Sequence, residues 1–78
     1  MNDDFDILND VTKLFPKIKY DERYVSIYID LCKRTECLTK SEKIYLIKAE
    51  ITKYQRKIDI IGMLSCYRLL RKVIKYEN

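Results

Sequence analysis

One glycine, Gly62, and one proline, Pro16, serve the whole of this 78-residue chain. Ordinary usage is about 7% and 5%. Sheet proteins need frequent tight turns, and those turns draw on Gly, Asn-Gly and Pro. A chain so poor in them is steered towards helices joined by a few short connections. The reading is an all-α fold, a compact bundle or array of about four helices in a single domain spanning 1–78.

Size sharpens that expectation. A chain this short buries only about 60–65% of its unfolded surface, so its core is marginal and a partner subunit would help it. A homodimer is therefore a candidate from the outset. Apolar residues make up 47% of the chain, enough for a globular core and too many for disorder. The start reads NDDFD, acidic where a secretory signal would be basic and then apolar. The longest run free of polar residues is IIGML at 60–64, far short of the ~18 residues of a membrane span. Three cysteines, Cys32, Cys37 and Cys66, cannot all pair within one chain. Reduced thiols and a cytoplasmic location follow as expectations, with a disulfide-linked dimer as the alternative.

Four helical segments can be traced. In DDFDILNDVTKLF, Ile7, Leu8, Val11, Leu14 and Phe15 share one face. Asp3, Asp4 and Asp6 suit the positive end of its dipole, and Pro16 ends it, giving a helix near 3–15. The stretch 24–31 reads two ways. Val25, Ile27, Ile29 and Leu31 alternate with Tyr24, Ser26, Tyr28 and Asp30 as a strand would. Tyr24, Val25, Tyr28, Leu31 and Cys32 also form one helical face. Asp21 and Glu22 before it and Lys33 and Arg34 after it complement a helix dipole, which favours a helix over 21–34.

The third segment opens on Thr39-Lys40-Ser41-Glu42, a capping box. Ile44, Ile47, Ile51, Tyr54, Ile58 and Ile61 then recur at alternating spacings of three and four, a heptad seam. This predicts a helix over 40–58. Its seam, Ile44, Ile47, Ile51, Tyr54 and Ile58, would pack inside a bundle or across a dimer. Beyond it Met63, Cys66, Tyr67, Leu70, Val73 and Ile74 form a new face. With Asp59 as a cap and Gly62 nearby, this predicts a break between 58 and 63 and a last helix over 61–76. One bent helix from 40 to 76 is the alternative.

Charge is unevenly placed. Residues 1–39 carry six Lys/Arg against eight Asp/Glu, net −2; residues 40–78 carry ten against four, net +6. At 100° per residue, Arg68, Arg71, Lys72 and Lys75 fall within one arc of the last helix. Lys53, Arg56 and Lys57 form a second basic group. Such groups suit helix C-termini without any ligand. They would equally grip an acidic protein partner or the phosphates of DNA or RNA. A turn followed by a basic helix loosely looks like a helix-turn-helix reader, but the preceding helix is too long and the basic helix has no Asn or Gln. A membrane-surface role fits poorly, since the apolar side of that helix lacks Trp and Phe and is needed for the core.

Seven tyrosines and no tryptophan are present. Tyr54 and Tyr67 fall on core stripes, whereas Tyr45 and Tyr76 fall off them and are candidates for a partner surface. Histidine is absent, so neither serine nor cysteine has a neutral-pH base. Cys-x4-Cys plus one distant cysteine is incomplete for zinc, and the acidic start lacks calcium-loop spacing. One glycine cannot build a phosphate loop. The chain is expected to be no enzyme and to use no cofactor. It reads as a small regulatory or adaptor protein acting by protein–protein contact and self-association, or as a DNA- or RNA-binding regulator.

Overall fold

In a computed structural model of the chain, which describes residue 18 and residues 20–76, all regular structure is helical. Three helices follow one another among the described residues: α1 at Glu22–Thr35, α2 at Lys40–Arg56 and α3 at Ile60–Tyr76. The helix expected at 3–15 lies outside the described residues. The count there is thus three rather than about four.

The stretch that also reads as a strand is helical because its ends are capped. The Asp21 carboxylate accepts from the backbone N–H of Arg23 at 2.9 Å and of Tyr24 at 3.1 Å. That satisfies two of the orphan donors at the start of α1. At α2 the capping box forms in full: Thr39 N–H donates to Glu42 Oε1 at 2.9 Å, and Glu42 N–H to Thr39 Oγ1 at 3.3 Å.

The end of α2 corrects the expected 40–58. Ile58 N–H donates to the carbonyl of Gln55, and Asp59 N–H to that of Tyr54. These paired bonds close the helix in a Schellman motif, which requires a left-handed residue at Ile58. Ile58 has φ 55°. Asp59 then begins α3 at once: its carboxylate accepts from Gly62 N–H at 3.1 Å and its carbonyl from Met63 N–H at 3.0 Å. The connection is only Lys57-Ile58-Asp59, so the alternative of one bent helix does not apply. Ile58 makes the break. Gly62 lies inside α3 with no positive φ.

α3 is the central element: it packs against both α1 and α2, which barely touch one another. The buried cluster joins Leu31 of α1, Ile47 and Ile51 of α2, and Cys66, Leu69, Leu70 and Val73 of α3. Ile27, Tyr28, Ile44, Tyr54 and Tyr67 pack on its edge. Because α3 meets two neighbours, its buried arc is wider than one stripe. It takes in Gly62, Leu64, Ser65 and Leu69 besides Cys66, Leu70 and Val73 of the expected face, of which Met63 and Tyr67 are half-buried. Ile74 is exposed. Ser65, fully buried, is tolerated because its hydroxyl lies 3.0 Å from the Tyr24 carbonyl and 2.9 Å from that of Ile61.

Candidate functional site

The side of α3 opposite the core carries Arg68, Arg71, Lys72 and Lys75, all exposed. Together with Tyr28 of α1 and Tyr76 they line a shallow depression of about 350 Å³ between α1 and the C-terminal half of α3. The four residues that share an arc by spacing therefore also share a concavity. Packing of α3 on α1 adds Tyr28 to it.

Arg68 is fixed in place by aromatic contact. Its guanidinium carbon lies 4.3 Å from the Tyr28 ring centre and 5.8 Å from that of Tyr24. Stacking of this kind attracts the cation to the ring face and leaves the in-plane N–H groups free to donate. Arg68, Lys72 and Lys75 form no ion pair among the described residues. Among the described residues, three of the four cations at the depression therefore have no carboxylate partner.

The second basic group does not join it. Lys53, Arg56 and Lys57 sit at the C-terminus of α2, beside the start of α3. Lys75 is fifteen residues along α3 from Ile60, about 22 Å at 1.5 Å per residue. Lys53 is also occupied, 3.1 Å from Glu50 Oε2. Glu50 is almost fully buried and accepts from Arg34 Nη1 at 2.8 Å. Burial would raise the Glu50 carboxyl, but the Arg34 and Lys53 bonds outweigh it and hold the group below its ordinary range.

Of the seam, Ile47 and Ile51 are buried in the core cluster, with Ile44 and Tyr54 packed on its edge. These side chains pack within the chain. Ile58 lies beyond the helix and is 81% exposed. Tyr45 and Tyr76 are also well exposed.

The thiols differ sharply: Cys37 is exposed, Cys32 half-buried and Cys66 buried. Burial, with the nearby Glu50 charge, pushes the Cys66 thiol up to about 12. Among the described residues no group of three or more His, Cys, Asp and Glu could hold a metal ion. No helix among them is long and apolar enough to cross a membrane. No protein-family model, no curated protein and no solved structure matches the chain.

Three features of the molecule are not apparent from spacing alone. They are the Arg68–Tyr28 stack, the Arg34–Glu50–Lys53 group and the Arg23–Asp59 pair. Each joins residues at least sixteen apart in the chain, except the Glu50–Lys53 contact.

Proposed function

We propose that this chain is a small non-enzymatic regulatory or adaptor protein of the cytoplasm, whose α3 basic face binds an acidic protein partner. The observation that supports this is the gathering of Arg68, Arg71, Lys72 and Lys75 around one depression, with Arg68 stacked on Tyr28. A carboxylate-rich segment would satisfy Arg68, Lys72 and Lys75, which form no ion pair among the described residues. The fork of Arg68, already oriented by the ring, would lose less side-chain freedom on binding than a free arginine.

The test uses a fluorescently labelled poly-glutamate peptide and anisotropy at low salt. Binding is expected, and replacing Arg68, Arg71 and Lys72 by Glu should abolish it while the far-ultraviolet spectrum stays helical. A peptide that never binds overturns the reading.

A second reading is favoured by the tyrosines. Tyr28 and Tyr76 flank the same cations, an arrangement suited to a nucleic-acid backbone with bases at its edge. Mixed-sequence DNA or RNA would then bind in place of the peptide, with affinity falling steeply as salt rises.

A further inference from the structure

Two features at one end of the molecule are unexplained by its interior. The first is Ile58. A β-branched side chain in the left-handed region is an outlier, disfavoured by its own Cβ. The turn leaves no choice of backbone, because Asp59 is both the last residue of the α2 closure and the cap of α3. Yet the side chain gains little from the core, being 81% exposed, and neighbouring Ile60 is 53% exposed. Two isoleucines therefore stand out from a turn flanked by Arg56 and Lys57. The one acidic residue between them, Asp59, is paired with Arg23.

The second feature is a groove of about 650 Å³ along the outer face of α1. Tyr20, Val25 and Ile29 give it an apolar floor, with Ile29 46% exposed. Glu22 and Asp30 border it with negative charge, Asp30 lying 3.5 Å from Arg34 Nη1, and Lys33 lies at its far end. The Arg23–Asp59 pair holds the start of α1 beside the turn, so the Tyr20–Glu22 end of the groove lies next to it.

We propose that the occupant of this groove is a second copy of the chain: the Lys57–Ile60 turn of one protomer docks on the Glu22–Asp30 groove of the other, and reciprocally. Aliphatic knob meets apolar lining, and Arg56 and Lys57 meet Glu22, with Asp30 shared with Arg34. Because the turn adjoins the near end of its own groove, a two-fold axis can lay each turn on the partner's groove at once, as an isologous dimer requires. The surface is separate from the basic depression, and from the heptad seam, whose Ile47 and Ile51 lie in the core. A contact of this size falls in the weak class, under about 1,200 Å². Its dissociation constant is expected at about 10–100 µM.

Sedimentation velocity of the full chain from about 2 to 500 µM tests this, since mass action then moves the monomer–dimer balance. Dimer should accumulate towards the upper end. Ile58→Gly and Ile29→Lys should each weaken it by about tenfold or more. Ile58→Gly relieves the backbone, so loss of dimer in that variant cannot be blamed on unfolding. Lys57→Glu and Glu22→Lys should each weaken the dimer, and the two together should restore it. Arg68→Glu, in the other surface, should leave it unchanged. A wild-type monomer at 500 µM overturns the proposal, as does a dimer indifferent to Ile58→Gly and Ile29→Lys.

Discussion

Arg23, in the first turn of α1, grips the carboxylate of Asp59, the cap of α3, through both terminal guanidinium nitrogens. Nη1 lies 2.8 Å from Oδ1, and Nη2 engages Oδ2. One carboxylate thus starts a helix and ties it to another thirty-six residues away. The Arg23 bond, together with the Gly62 N–H, outweighs partial burial and holds the Asp59 carboxyl at about 2.

That depressed value makes part of the stability acid-labile. Unfolded, Asp59 titrates near 3.8. Its contribution is therefore complete above about pH 4–5 and is lost as pH falls towards 2. Asp59→Asn keeps a capping oxygen and removes the charge, so it should flatten this part of the profile. Asp59→Ala should cost about 1–2 kcal/mol at neutral pH through the lost cap. Urea unfolding followed by circular dichroism at pH 7 and pH 3 reads both. Equal acid losses in wild type and Asp59→Asn would refute the assignment.

Gly62 is required by its neighbour rather than by its backbone. A Cβ there would overlap the Tyr54 ring, including Cγ at its root, so the ring could not clear it by swinging its far end. Gly62→Ala should gain about 1 kcal/mol of helix propensity and lose about 1–3 to overpacking. A net loss of about 0–2 kcal/mol is expected. In a Tyr54→Ala background the same change should become neutral or stabilising. This double-mutant cycle fails if Gly62→Ala costs the same in both backgrounds.

How far the fold can be read from the chain depends on the range of the interactions. Local signals are legible: the capping box at Thr39 and Glu42 forms as written, and the charged ends of 21–34 mark a helix despite strand-like alternation. Signals that depend on a third element are not. The seam pattern runs through Ile58, but the backbone turns left-handed there, because Asp59 is needed as a cap for α3. Ser65 looks like the polar end of a stripe. It is buried because α1 supplies the Tyr24 carbonyl. The four cations of the depression share an arc by helical spacing alone, whereas Tyr28 joins them only through the packing of α1 on α3.

The cysteines should separate cleanly by reactivity. With a pKa of about 12, roughly one Cys66 in ten thousand is thiolate at pH 8, and the group is enclosed besides. Cys37 is exposed to solvent. Under native conditions iodoacetamide should label Cys37 first, and Cys66 only at the rate of unfolding. Peptide mass spectrometry across a time course measures this. Under oxidising conditions Cys37→Ser should remove any disulfide-linked dimer, and early labelling of Cys66 would contradict its burial.

Ile58 offers a series in which backbone and side chain can be told apart. Removing the Cβ relieves about 1–2 kcal/mol of left-handed strain, against about 0.5–1 for the greater freedom of glycine in the unfolded chain. Ile58→Gly should therefore stabilise by about 0.5–1 kcal/mol, or raise Tm by several degrees in a domain of this size. Ile58→Asn, which tolerates the same φ without that entropy cost, should do at least as well. Ile58→Ala keeps a Cβ and forfeits little burial, so it should stay within about 0.5 kcal/mol of wild type. Thermal unfolding monitored at 222 nm, at a protein concentration low enough to keep the chain monomeric, ranks the three. If Gly and Asn match Ala, the left-handed turn is not where this connection stores its strain. Gain in the first two alone would show a turn held in an unfavourable shape by the helices on either side of it.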